Sequence, residues 1–99
     1  MTKQELVARM QEGQAWIPGK RVKLDFGDQG VILLDGAASQ VSEEDGAADT
    51  TIKVAWDDWQ AMADGQLDGM TAFMTGKLRI EGDMSNAMQL QGVLAKLRS

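Results

Sequence analysis

Residues 69 to 97, GMTAFMTGKLRIEGDMSNAMQLQGVLAKL, constrain the fold more than any other stretch of this 99-residue chain. A short helical pattern carrying Met70, Phe73 and Met74 stops at Gly76. Residues 77–81 then alternate as a strand, with Leu78 and Ile80 on one side. Gly82 ends that strand, and Asp83 stands where a helix cap is needed. Beyond it Met84, Met88, Leu90, Val93, Leu94 and Leu97 recur at spacings of three and four, the signature of a helix with one apolar face. Five of the seven methionines (Met62, Met70, Met74, Met84 and Met88) lie on or beside these helical faces. Methionine is flexible and polarizable, so such a surface serves either as irregular core or as an adaptable wall for an apolar ligand.

The upstream half reads mainly as strands. Residues 3–14 form an amphipathic helix with Leu6, Val7 and Met10 on one side, and Thr2 with Glu5 makes a capping box. Trp16-Ile17-Pro18-Gly19 breaks it. Residues 21–26 alternate, with Val22, Leu24 and Phe26 inward, and Gly27-Asp28-Gln29-Gly30 turns the chain into a second strand at 31–34. Residues 35–49 form an acidic connection with a weak strand around 39–42, and 50–55 make a clear strand with Ile52 and Val54 on one face. Asp57 or Asp58 is placed to cap a helix carrying Trp56, Trp59 and Met62 that ends at Gly65, and Asp68 to cap the next one. Strands early, helices late and one strand returning between helices predict a single α+β domain over 1–99. Its sheet should be largely antiparallel, with the helices packed on one face.

Composition removes most chemistry. The chain has no cysteine, histidine or tyrosine, so disulfides, the commonest metal ligands and most nucleophile or acid–base constellations are missing. The acidic run SEEDGAAD lacks the spacing of a calcium loop, and the glycines sit singly at element ends rather than in a phosphate-binding pattern. The expectation is a non-enzymatic protein without metal or cofactor. Residues 35 to 68 hold nine acids against one base, Lys53, and the net charge is −5, a balance that repels phosphate backbones and disfavours nucleic acid. No apolar run reaches the roughly 18 to 20 residues of a membrane span, and the polar N-terminus lacks a signal-peptide core. The reading is a cytoplasmic protein, and cysteine-free composition suits a reducing compartment.

The order of residues from Asp49 onward resembles the sterol carrier protein-2 (SCP2) family of sterol-binding and non-specific lipid-transfer domains. The likeness rests on DTTIKVA (49–55) leading into an aromatic helix, on Gly65, on the short helix around Ala72 and Phe73, and on GKLRIEGDMSNAMQL (76–90). Gly76, Lys77, Leu78, Ile80, Gly82, Met84, Ala87, Met88 and Leu90 all fit that pattern. The chain departs from it in having Leu67-Asp68-Gly69 where many members carry a proline. It ends in Lys96-Leu97-Arg98-Ser99 rather than a peroxisomal Ser-Lys-Leu tag, so the expectation is a bacterial cytoplasmic member.

The resemblance implies a five-stranded sheet, helices over one face, and an apolar tunnel between them that holds a fatty acyl chain, a sterol-like or an isoprenoid lipid. By position it implies tunnel contacts from Leu33 and Ile52 on the sheet and from Trp59 and Met62 on the aromatic helix. Met70, Phe73 and Met74 would add the short helix, and Met84, Met88 and Leu94 the last one. The implied function is to bind and carry or present such a lipid, with transient membrane contact. The alternative is an interaction or homodimerisation module acting as accessory factor to a lipid- or quinone-modifying enzyme. For the methionines and for the two neighbouring tryptophans, plain core packing stands beside both readings.

Overall fold

The computed structural model describes residues 2–98, with the side chains of residues 63, 91 and 93–98 outside the description. Helix α1 (Lys3–Glu12) is followed by strands β1 (Arg21–Asp25), β2 (Val31–Asp35), β3 (Gln40–Ser42) and β4 (Thr50–Val54). Then come α2 (Trp56–Ala63), α3 (Gly69–Met74), β5 (Leu78–Gly82) and α4 (Met84–Arg98). One sheet has the order β3-β2-β1-β4-β5. Its pairs are antiparallel except β1 with β4, which run parallel, so the fold is α+β with a mostly antiparallel, mixed sheet.

Register explains where the core lies. Side chains alternate across a pleated strand, so aligned positions share a face. Leu34, Val22, Thr50 and Gly82 form one aligned row, and Ile32, Leu24, Ile52 and Ile80 the next. These rows, with Val41 and Leu78, make the inner face, on which Leu6 and Met10 of α1, Trp59 of α2, Ala72 of α3 and Ala87 and Leu90 of α4 are packed. The opposite face carries Lys23, Thr51, Lys53, Arg79 and Glu81, with Lys53 Nζ 3.3 Å from Glu81 Oε1 across the β4–β5 pair.

Caps fall where local chemistry puts them, with one exception. Thr2 Oγ1 accepts from Glu5 N at 3.2 Å, Asp68 Oδ2 from Thr71 N at 3.2 Å, and Asp83 Oδ1 from Ser85 N at 2.8 Å. The exception is α2, capped by Ala55 without a side-chain hydrogen bond, and not by Asp57 or Asp58. Strand β4 runs straight into the helix, so Trp56 takes the first helical position and the two acids fall within the first turn. There they still complement the helix dipole.

The acidic connection is tied down rather than merely solvated. Lys23 Nζ meets Asp45 Oδ1 at 2.7 Å, Lys3 Nζ meets Glu43 Oε1 at 3.1 Å, and Asp49 Oδ2 accepts from Arg21 N at 2.9 Å. Asp49 also approaches the far end of β5 closely. A Cβ on Gly82, whose φ is +92°, would collide with the Asp49 carbonyl, so only glycine fits there.

Candidate functional site: an apolar pocket under the last helix

Four elements converge beneath α4. Strand β4 contributes Ile52, and β5 contributes its cross-strand partner Ile80 together with Leu78. Helix α2 contributes Trp59 and Met62, three apart and therefore on one face; α4 contributes Ala87 and Leu90 at the same spacing. These seven side chains line a pocket of about 20 Å³, room for about one water molecule and no more. None of the seven is titratable.

Aromatic packing holds the α2 side of the pocket. The Phe26 ring sits edge-on to Trp56 at 5.0 Å and to Trp59 at 5.7 Å between centroids, arrangements that favour aromatic pairs beyond their burial. Trp59 is only 4% exposed, and its indole Nε1–H is buried without a hydrogen-bond partner among the described residues. Buried polar groups are nearly always paired, so this donor is an exception within the packed core.

Polar contacts fix the α4 side. Asn86 Nδ2 donates to Thr50 Oγ1 at 3.1 Å, and Thr50 Oγ1 donates to the Asp83 carbonyl at 2.7 Å. Both side chains are buried. Asp83, at the helix start, has its carboxyl held below the usual value of 3.8 by hydrogen bonds from the Ser85 hydroxyl and then the Ser85 amide.

Of the residues expected to line a tunnel, Ile52, Trp59 and Met62 meet in this pocket. Leu33 does not. It pairs with Lys23 and Ser42, which puts it on the opposite face of the sheet, and it is covered there beside Gly46 of the acidic connection. Met70, Phe73, Met74, Met84 and Met88 are all at the surface, from 41% exposed at Phe73 to 78% at Met74. Helix α3 turns Ala72, not its large side chains, to the core. The side chain of Leu94 lies outside the described residues. Leu78, Ile80, Ala87 and Leu90 line the pocket without having been expected as ligand contacts, although the alternation of residues 77–81 already turned Leu78 and Ile80 inward.

Among the described residues no helix is long and apolar enough to cross a membrane, and no group of three or more His, Cys, Asp or Glu is placed to hold a metal ion.

The model of the family described as the SCP-2 sterol transfer family matches residues 7–95 of this chain. Sterol carrier protein 2 of Bos taurus is 41% identical over 63 residues, 64% of this chain and 12% of that protein. The matched stretches span about a fifth or less of the length of the curated relatives. Among solved structures, the Aedes aegypti sterol carrier protein-2 complex with the C16 fatty acid palmitate has a TM-score of 0.75 at 19% identity, covering 92% of each chain. The ubiquinone synthesis protein UbiJ-SCP2 has a TM-score of 0.69 at 19% identity, covering 97% of this chain and 94% of that one. At such identity these likenesses speak for the fold.

Proposed function

Because this chain belongs to the SCP-2 sterol transfer family, we propose that it binds the apolar chain of a lipid between α2, α4 and the β4–β5 pair, and carries or presents it. The pocket of Ile52, Trp59, Met62, Leu78, Ile80, Ala87 and Leu90 carries this reading, because its wall is mostly apolar and it joins all three elements. Support comes also from the palmitate complex of the structurally similar mosquito protein. On this reading the domain is a binding module in the cytoplasm, and the apolar work of sequestration is its activity.

At about 20 Å³ the pocket is a closed state. A long acyl chain needs α4 or α2 to move outward as it enters. Met62 and the surface methionines Met70, Met74, Met84 and Met88, with Phe73, supply the flexible apolar surface that follows the ligand. Burying a 16-carbon chain yields about 13 kcal/mol gross at ~0.8 kcal/mol per methylene. Association and ordering cost several kcal/mol, which leaves affinity near the micromolar range. Such affinity allows both loading and release.

Native mass spectrometry of the gently purified protein tests the proposal. A lipid that co-purifies, or a fatty acid taken up in one-to-one ratio, supports it; a chain that stays empty under saturating fatty acid refutes it. The likeness to UbiJ-SCP2 favours, as a second reading, an accessory role in which the exposed α3–α4 side chains dock a partner enzyme. That role predicts loss of partner binding, without loss of lipid uptake, when Met74 and Met88 are made polar.

A further inference from the structure

The two edges of the sheet are finished differently. At one edge β3 is only three residues long, and Gln11 of α1 closes it. Gln11 Oε1 accepts from the Val41 amide at 2.8 Å, and its Nε2 donates to the Ser39 carbonyl at 3.4 Å. At the other edge β5 is five residues long and free of proline, and among the described residues no strand lies beyond it. Its Arg79, Glu81 and Gly82 are exposed and its Ile80 is half-buried. An open strand of this length is a template for pairing with another chain.

Backbone direction along β5 follows from one bond. Asp83 N donates to the Asp49 carbonyl, across from it on the β4 side, at 3.2 Å. Residues that reach the neighbouring strand alternate along an antiparallel pair. Glu81 and Arg79 therefore turn their backbone groups towards β4, while Ile80 and Leu78 turn theirs to the free edge.

The charges on this edge suit a second copy of the same strand. Arg79 and Glu81 flank Ile80 and share the outer face of the sheet. In an antiparallel pair centred on Ile80, each Arg79 lies opposite the partner's Glu81. Centring the pair on Arg79 or on Glu81 would set like charges opposite each other, and so would parallel, in-register pairing. Within one chain Arg79 faces Lys53 across the β4–β5 pair, a like-charge neighbour, and Glu81 is held by Lys53 at 3.3 Å. Among the described residues no ion pair includes Arg79.

We propose that two copies of this chain associate through β5, antiparallel about Ile80, and join their sheets into one. Ile80 exchanges N–H···O=C bonds with the partner's Ile80, and Arg79 pairs with the partner's Glu81 on either side of the two-fold axis. The outer face then carries Lys53, Glu81 and the partner's Arg79 in alternating sign. Leu78 and Ile80 keep their side chains in the pocket, so the pairing neither needs a lipid nor displaces one. A contact one strand wide is small beside the roughly 800 Å² per partner of a standard interface, so association depends on concentration.

Sedimentation equilibrium over a wide range of protein concentration tests the pairing. The wild-type chain should pass from monomer to dimer. Arg79→Glu and Glu81→Arg each set like charges opposite each other, and each should weaken self-association about tenfold or more. Mixed together, the two variants complement each other and the dimer should return. Wild-type protein that stays monomeric throughout, self-association untouched by either reversal, or variants that do not recover on mixing overturns the proposal. Should either variant fail to fold by circular dichroism, amide hydrogen exchange of the wild-type chain decides. Exchange at Leu78 and Ile80 should slow as concentration rises, while Arg79 and Glu81, already bonded to β4, stay unchanged. Protection centred on α3 and α4 instead would assign the contact to their exposed methionines and overturn the strand pairing.

Discussion

Asn86, in the first turn of α4, donates from Nδ2 to Oγ1 of Thr50, the first residue of β4, at 3.1 Å, with both side chains buried. The same hydroxyl donates to the Asp83 carbonyl, so one threonine ties the cap and the first turn of α4 to strand β4. This joint fixes where Ala87 and Leu90 enter the pocket. Thr50→Val keeps the shape and leaves the Asn86 amide buried without its partner. The expected loss is about 1–3 kcal/mol of unfolding free energy. Adding Asn86→Leu should recover part of it. Urea unfolding of the two single variants and the double variant measures both effects, and strict additivity would contradict the coupling.

Two glycines give opposite expectations. Gly82 has φ +92° and a Cβ position occupied by the Asp49 carbonyl, so Gly82→Ala should lose roughly 2 kcal/mol or more. Gly92 lies within α4 with open space around its Cβ position. Gly92→Ala should gain about 0.5–1 kcal/mol from helix propensity. Thermal unfolding of the pair reads both signs.

The exposed methionines separate function from stability. Met74 and Met88 are 78% and 67% exposed, so Met74→Ser and Met88→Gln should each shift stability by no more than about 0.5 kcal/mol. If this surface follows an incoming lipid, the double variant should nonetheless take up fatty acid several-fold less well in a vesicle-to-protein transfer assay. Unchanged uptake would confine binding to the buried pocket alone.

Acid stability should depend on Asp83 and Asp35. Hydrogen bonds from Ser85 lower Asp83 below 3.8, and the Ala38 amide, with help from Arg21, does the same for Asp35. A carboxyl with a depressed folded value stabilises the protein above its unfolded value and loses that contribution as pH falls through the folded one. Stability should therefore hold from neutral pH down to about 4 and decline below it. Asp83→Asn should flatten part of that decline in pH-dependent urea unfolding.

Much of this fold was legible because its punctuation is local. Asp68 and Asp83 cap the helices they precede, and the alternation in residues 77–81 turned Leu78 and Ile80 inward as found. What the chain conceals depends on tertiary pairing. Val31-Ile32-Leu33-Leu34 is apolar throughout, so nothing local tells which face Leu33 takes; its register with Lys23 decides. Met70, Phe73 and Met74 have the spacing of a buried stripe, yet α3 is six residues long and seats its small Ala72 on the core instead. Ala87 is equally quiet in the sequence, since a small side chain lines a pocket by leaving space. The Thr50–Asn86 bond joins residues far apart in the chain, and no periodicity announces it.

Methyl and indole NMR during a palmitate titration tests the central claim most directly. If the lipid chain lies between α2, α4 and the β4–β5 pair, resonances of Ile52, Ile80, Leu78, Leu90 and Trp59 shift and saturate at one equivalent. Leu33, on the far face of the same sheet, stays in place. Shifts centred on Leu33, or none at saturating palmitate, would contradict the account.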